Sequence, residues 1–282
     1  MIIIKEIAAL QKILLSYLSG EKSIGFVPTM GALHSGHLRL VSESIHQNTC
    51  TVVSIFVNPA QFNDQKDYEK YPKTLEADIY KLEQAGTTIL FLPTVEEIYP
   101  NGFETNLHYN LGKLDTLLEG FYRPGHFQGV CRVVHRLLEI VKPHHLYMGQ
   151  KDYQQCMVVQ WLIKEFHLPL VLHITPTERA ANGLALSSRN LRLSANGLEK
   201  AVAIFNALTY IKKNLTTLPI NTLKSNAISS LLEAGFDKID YISICHATTL
   251  NEINNYETNI PTVILAAAFL ENVRLIDNML VN

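Results

Sequence analysis

Apolar and polar positions along the first two thirds of the chain follow two alternating rhythms. Ile24, Phe26 and Val27 form a short apolar run, which predicts a buried strand cut off by Pro28. From His37 onward, Leu38, Val41 and Ile45 recur at helical spacing, with Leu40 alongside. Cys50 to Val57 (CTVVSIFV) is a β-branched strand ending at Asn58-Pro59. Leu75, Ile79 and Leu82 mark an amphipathic helix closed by Gly86, and Ile89 to Leu92 is the next strand, stopped by Pro93. Apolar residues at 127, 130, 131, 134, 137, 138 and 141 make 127–141 helical by period. His145 to Met148 then reads as a strand, Tyr153 to Phe166 as a helix and Leu170 to Ile174 as a strand. Strand and helix in alternation imply parallel pairing with right-handed crossovers, hence an α/β fold with a doubly wound, Rossmann-like sheet. Ligands of such sheets sit at the carboxyl ends of strands, and the polar clusters at 28–37, 58–61, 149–155 and 187–189 are expected there.

The rhythm changes after Pro176. Residues 177–192 read as a long polar loop, and Ser194 caps a helix running to about Lys213. Asn221 to Ala234 is another helix, followed by apolar strands at Ile239 to Cys245 and Val263 to Phe269 and a short third at Val273 to Ile276. Helices first and strands after suggest a smaller α+β domain, which divides the chain into 1–176 and 177–282. There is no internal repeat and no low-complexity tract.

Composition narrows the classes. At 47% hydrophobic and 18% charged residues, the 282-residue chain suits a soluble globular protein with a substantial core. A formal net charge of -2 supplies no basic field for nucleic acid or an anionic membrane, yet leaves room for a local anion pocket. Cys50, Cys131, Cys156 and Cys245 stand singly and read as buried free thiols of a reducing compartment. Met1 to Ile4 is too short for a signal segment and no run reaches the length of a membrane span, so a cytoplasmic location is expected.

Four clusters carry candidate chemistry. The first is the turn after the strand at Ile24, where Gly31 and Gly36 let the backbone turn tightly and His34-Ser35-Gly36-His37 places two imidazoles at a helix start. Free amides, the helix dipole and imidazole donors all favour phosphate there; a helix cap beside a half-buried filler is the plainer reading. The second, Gly149-Gln150-Lys151-Asp152, follows a strand and opens a helix, with Lys151 as a point charge and Asp152 as cap. Gln155 lies one helical turn after Lys151 on the same face; a capped surface turn is the competing account. The third, Asn58-Pro59-Ala60-Gln61-Phe62, ends a strand with an amide suited to a hydroxylated ligand, or is an ordinary turn. The fourth is Leu186-Ser187-Ser188-Arg189-Asn190, two hydroxyls and a guanidinium that can wrap a polyphosphate. Gly183 and the length of that loop suggest a mobile lid; a loop with an N-cap serine is the alternative. Arg123 to Phe127 (RPGHF) is a fifth, weaker pocket loop. Asp78 and Glu76 are placed on a solvated helical face, with Mg²⁺ binding as the other possibility.

The histidine turn paired with a late Ser-Arg loop resembles the HIGH-motif nucleotidyltransferase superfamily. The set PTMGALHSGH, VNPAQF, YPKTLEAD, RPGHFQGV, GQKDYQQ and LALSSRN is similar, over most of the first 190 residues, to the pantoate–β-alanine ligase family; the last ninety residues agree in general character. The resemblance implies an AMP-forming ligase of the cytoplasm that uses ATP with Mg²⁺, joins pantoate to β-alanine through a pantoyl adenylate, binds no nucleic acid and works as a homodimer. It implies that the first domain binds ATP and pantoate and that the second is a lid. By that likeness, Met30, Gly31, Ala32, Leu33, His34, Ser35, Gly36 and His37 form the ATP loop, with His34 and His37 on phosphates and His37 the proton donor. Gly149, Gln150, Lys151, Asp152, Glu178 and Leu186 to Arg189 hold the nucleotide, with Lys151, Ser188 and Arg189 on the phosphates and Glu178 near the adenine. Gln61, Gln155 and Asn58 bind substrate, while the metal ligand is unassigned because Ala77-Asp78 stands where two acidic residues are usual. The rivals are a nucleotidyltransferase that stops after nucleotide transfer and an inert nucleotide-binding module.

Overall fold

The computed structural model describes residues 1–18, 22–102 and 107–282. In chain order, the elements up to the first site are β1 (Ile2–Ile4), α1 (Ile7–Leu18), β2 (Ile24–Thr29), α2 (Ser35–Gln47) and β3 (Cys50–Ile55). There follow α3 (Gln65–Glu69), α4 (Leu75–Gln84), β4 (Ile89–Phe91), α5 (Val95–Ile98), α6 (Glu119–Tyr122) and α7 (His126–Val141). The first sheet is completed by β5 (His145–Gly149), α8 (Tyr153–Glu165) and β6 (Val171–Thr175). The remainder comprises α9 (Ala195–Asn214), α10 (Ile220–Glu233), β7 (Lys238–His246), β8 (Thr262–Leu270) and β9 (Val273–Leu280).

Six strands form one sheet in the order β1-β4-β3-β2-β5-β6, parallel at each pairing. Consecutive residues of its strands point to opposite faces, and both faces are apolar. Phe26, Val52, Ile89 and Leu146 enter one core with residues of α1, α7 and α8. Val27, Val53, Leu90 and Tyr147 enter the other with Leu40 and Val41 of α2 and Leu82 of α4. Each such side chain contributes roughly 1.5–3 kcal/mol on burial, which makes the doubly wound arrangement the stable one. The order reverses between β2 and β5, so the carboxyl ends of these two central strands flank the crevice where such sheets bind ligands.

Several details differ from the sequence reading. β2 does not stop at Val27 but continues through Pro28, paired with Ser54, to Thr29. Pairing of β2 with β5 ends at Phe26, so the missing N–H of Pro28 faces a side with no ladder to complete. β1 is a three-residue edge strand too short to show a period, whereas α1 carries Ile7, Leu10, Leu14 and Tyr17 at helical spacing, although the sequence reading begins only at Ile24.

The chain divides into two compact units: 1–150 with 154–176, and 151–153 with 177–282. Lys151–Tyr153 therefore counts with the second unit although it lies between two strands of the first. The second unit is an antiparallel sheet β7-β8-β9, with Ala201, Leu208 and Ile211 of α9 and Leu223, Ala227 and Leu231 of α10 in one core with Ile244, Ile264 and Ala266. Its third strand is not the short piece expected but eight residues long, because Asp277 and Asn278 are buried within it. Ser194 caps α9 as its sequence indicates, accepting the Gly197 amide at 2.9 Å. Among the described residues no helix is long and apolar enough to cross a membrane.

Candidate functional site

β2 ends at Thr29 and α2 starts at Ser35, so the polar segment between them lies at the carboxyl end of a central strand. Gly31 takes a left-handed backbone (φ +69°), and a Cβ there would stand 2.8 Å from Asp78 Oδ2. His34 occupies the N-cap position with extended backbone (φ -132°, ψ 175°), so the capping reading and the functional reading fall on the same residue. His37 Nδ1 accepts the His34 N–H at 3.3 Å, and the two rings lie 4.0 Å apart. An imidazole whose Nδ1 accepts carries its proton, when neutral, on Nε2, which makes His37 a donor that an anion can use. The amides of Ser35 and Gly36 open α2 beside it, whereas those of His37 and Leu38 donate to His34 O at 2.9 and 3.2 Å.

The turn is held from behind by the segment before and within α4. Asp78 was expected on a solvated face; instead it is 1% exposed. Its Oδ1 accepts the Leu33 N–H at 2.8 Å and the Thr74 hydroxyl at 3.0 Å. Asp78 lies one turn from Leu75 and from Leu82, at the edge of the apolar stripe of α4, while Glu76, Glu83 and Gln84 on the opposite side are exposed. Lys81 Nζ donates to the Leu33 carbonyl at 2.6 Å, and the Tyr71 hydroxyl donates to the Gly31 carbonyl at 2.8 Å.

At the end of β3, Asn58 is committed to the protein. It is 1% exposed, its Oδ1 accepts the Ala60 amide at 3.3 Å and the Tyr99 hydroxyl at 2.9 Å, and its Nδ2 donates to Gly129 O and Gln61 Oε1, each at 3.2 Å. With both donors and both lone pairs engaged in this way, Asn58, expected as a substrate contact, also orients Gln61. Gln61, half-buried, turns its Nε2 toward Met30 Sδ at 3.2 Å, joining this loop to the histidine turn. The RPGHF loop supports the same glutamine: buried His126 donates from Nδ1 to Gln61 O at 2.8 Å while Arg123 donates to its Nε2 at 3.0 Å.

The second cluster folds differently from the expectation. Gln150–Asp152 is a 3₁₀ turn that runs directly into α8 at Tyr153, so the four-residue step from Lys151 to Gln155 does not lie within one α-helix. Gln155 is half-buried on α8, whereas neighbouring Gln154 is buried and binds the Glu119 amide and the Leu114 and Leu117 carbonyls. Lys151 Nζ lies 3.5 Å from Asp152 Oδ1. In the second unit, Asn278 Nδ2 donates to the Lys151 carbonyl at 2.8 Å, and the Tyr153 hydroxyl donates to Ala247 O at 2.8 Å.

The loop expected to be a mobile lid is tied at several points within the second unit. The Leu186 amide donates to Glu178 O at 3.0 Å, and Arg179 pairs with Ala185 as an isolated bridge, closing a small hairpin. Arg179 forks onto buried Asp277 with bonds of 2.6 and 2.9 Å and also donates to the carbonyls of Gly183 and Asn278, each at 3.1 Å. Its guanidinium lies 4.8 Å from the centre of the Phe205 ring. Burial pushes the Asp277 carboxyl above its usual range, and Arg179 pulls against that shift. Gly183 takes a left-handed backbone (φ +94°), and a Cβ there would run into the Phe205 ring. Ser187 caps a 3₁₀ turn over Ser188–Arg192, accepting the Arg189 amide at 3.3 Å; Ser188 is buried and Arg189 half-buried. Residues 187–189 thus belong to the second unit, not to a strand end of the sheet. Sequence reasoning passed over Tyr71, Lys81, Arg179, Asp277 and Asn278, and gave no structural role to His126.

All four cysteines are buried and outside any disulfide, and burial pushes Cys50 and Cys245 to about 11 and Cys131 to about 12, well away from a nucleophilic thiolate.

Residues 2–280 match a family model described as pantoate-beta-alanine ligase. Relatives named pantothenate synthetase include one from Azobacteroides pseudotrichonymphae, 43% identical over 98% of this chain and 99% of its own length. Another, from Bacteroides fragilis, is 42% identical over 92% of this chain and 91% of its own length. The solved pantothenate synthetase of Thermus thermophilus superposes with a TM-score of 0.91 at 38% identity, covering 100% of this chain and 99% of that one. The pantoate-beta-alanine ligase of Francisella tularensis, solved with beta-gamma ATP and beta-alanine, gives 0.84 at 38% identity over 99% and 97% of the two chains. A likeness that runs the length of both sequence and backbone leaves one conclusion: the chain belongs to the pantoate-beta-alanine ligase family.

Proposed function

We propose that the chain condenses pantoate with β-alanine in two steps at the carboxyl ends of the central strands. The pantoate carboxylate attacks the α-phosphorus of ATP, and pyrophosphate leaves. The neutral amine of β-alanine then attacks the acyl carbon of the adenylate; AMP departs, the amine proton is released and an amide remains. Residues 30–37 cradle the nucleotide, with His34 and His37 as donors to phosphate oxygens. The observation that carries this reading is the His34–His37 turn on β2, with Nδ1 of His37 already occupied by a backbone amide. Charge that builds on the phosphate oxygens in the transition state meets a proton held on Nε2, and donors aimed there lower the barrier.

Lys151, Ser188 and Arg189 add donors and positive charge to the phosphates, with Gly149, Gln150, Asp152, Ser187 and Leu186 shaping the same contacts and Glu178 presenting backbone near the adenine. Gln61 and Gln155 bind pantoate, Gln61 also bordering β-alanine, and Asn58 keeps Gln61 in place. The second step rests on proximity, worth roughly 7–11 kcal/mol in favourable cases, and requires no side-chain nucleophile. Among the described residues no group of three His, Cys, Asp or Glu could hold a metal ion, and Asp78 is engaged by the turn. A protein cage for Mg²⁺ therefore does not fit these residues; the ion enters this proposal as a companion of the phosphates, and no step runs through it. A lid role for the second unit, a homodimeric assembly and a cytoplasmic location complete the proposal, supported by the family likeness and, for location, by four cysteines outside any disulfide.

The test is incubation with ATP, Mg²⁺, pantoate and β-alanine. AMP, pyrophosphate and the amide are expected in equal amounts, together with pantoate-dependent exchange of pyrophosphate into ATP. ATP binding without that exchange would overturn the reading.

A further inference from the structure

Three hydrogen bonds converge on the histidine turn from one short stretch of chain. The Tyr71 hydroxyl donates to Gly31 O at 2.8 Å, Asp78 Oδ1 accepts Leu33 N–H at 2.8 Å and Lys81 Nζ donates to Leu33 O at 2.6 Å. The N–H and C=O of Leu33, the residue immediately before the N-cap His34, are thus both gripped by side chains of α4. Asp78 is itself steadied by Thr74 at 3.0 Å and by the Lys81 ammonium at 4.0 Å. Asp78 is 1% exposed, and its second oxygen stands where a side chain on Gly31 would be.

We propose that Asp78 and Lys81, with Tyr71, are positioning residues for adenylate formation: they set the direction of His34, His37 and the first amides of α2 by fixing the backbone of Gly31 and Leu33. The inference rests on the reading of residues 30–37 as the nucleotide turn, and it adds that Asp78 acts through hydrogen bonding rather than as a metal ligand. The chemistry of the two roles differs. A metal ligand needs the negative charge of the carboxylate; a clamp needs one acceptor atom at the place of Oδ1, which an asparagine also supplies. A misplacement of about 1 Å in a reacting group can cost roughly 10²-fold in rate, so the clamp should act on turnover rather than on pantoate affinity.

The experiment is pantoate-dependent pyrophosphate exchange across a Mg²⁺ titration in the wild type, Asp78→Asn, Asp78→Ala and Lys81→Met, with the thermal midpoint of each recorded. Exchange in Asp78→Ala is expected to fall about 10²-fold in kcat at unchanged pantoate KM. Asp78→Asn is expected to hold within about threefold of wild type, with an unshifted Mg²⁺ requirement. Lys81→Met, which removes a donor at a half-exposed site, should lose roughly tenfold in kcat. Should Asp78→Ala not fold, the other two variants decide. An Asp78→Asn enzyme that is inactive at low Mg²⁺ and recovers at high Mg²⁺ would make Asp78 a metal ligand and overturn the proposal. Full exchange in Lys81→Met, or in a folded Asp78→Ala, would overturn it as well. A wild type with no exchange removes the underlying reading along with it, and so is told apart from failure of the clamp alone.

Discussion

The two units hold their functional segments by different means. In the sheet unit the histidine turn sits where a parallel strand hands over to a helix, a place that topology alone provides. The bonds that refine it are mostly to backbone: Gly31 O, Leu33 N and Leu33 O. The second unit is antiparallel and offers no such place, and its candidate loop is anchored to the sheet by a charged fork, Arg179 onto Asp277. A parallel sheet thus positions a site through its architecture. A loop beside an antiparallel sheet needs a specific anchor, and a buried ion pair is a strong one only while both partners are present.

The largest test of that contrast is Arg179→Ala, which leaves the buried Asp277 carboxylate unpaired and should cost about 3–5 kcal/mol by urea denaturation. The double variant Arg179→Met/Asp277→Leu should recover most of this stability, and failure to do so would show that the fork is not the anchor. Next, His37→Ala should keep the stability of the sheet unit while cutting pyrophosphate exchange about 10²-fold, the scale of one lost transition-state donor. A stability loss as large as that of Arg179→Ala would erase the distinction between the units. Gly183→Ala should destabilise by about 1–3 kcal/mol, since a methyl at positive φ would meet the Phe205 ring; a neutral result would mean the hairpin is free to shift. Gln155→Ala should raise the pantoate KM roughly tenfold with little change for ATP. An effect confined to ATP would misplace Gln155.

The smallest effect concerns pH and belongs to the sheet unit. Burial, then His173 and His144, lowers the pKa of His145, whose Nδ1 lies 2.9 Å from His173 Nε2; burial also lowers that of His135. The unfolded chain accepts these protons more readily, so the stabilisation is present above the ordinary imidazole range and fades as pH falls through the depressed folded values. The urea midpoint should therefore decline between about pH 7 and about pH 5, and less so in His145→Gln. A midpoint equally pH-dependent in that variant would exclude His145 as the source.

What the sequence discloses follows from periodicity. Strands such as Cys50–Ile55 and the helix His126–Val141 show themselves because their apolar residues repeat at the spacing of the element. The two phosphate-type clusters show because histidine, serine and arginine stand together along the chain. Polar pairing across distance has no period. Asp78 and Leu33 are 45 positions apart, and Arg179 and Asp277 are 98 apart, so each looks like a solvated charge until the fold brings its partner. The same blindness shortened β9, where Asp277 and Asn278 resemble a turn, and hid the bond from Asn58 to Gln61.

Gly25, in the middle of β2, has no side chain at all, yet it decides where the helix bearing His37 can lie. The space a methyl would need there is filled by Ser44 Oγ and the Asn48 amide of the α2 segment, themselves tied to Thr51 and Tyr147 at 2.8 Å. A larger residue at 25 would lift the whole rod off the strand and carry both imidazoles with it. The placement of the two imidazoles is thus set in part by a bare patch of backbone, and a mutational scan that ranks positions by their chemistry would pass it over.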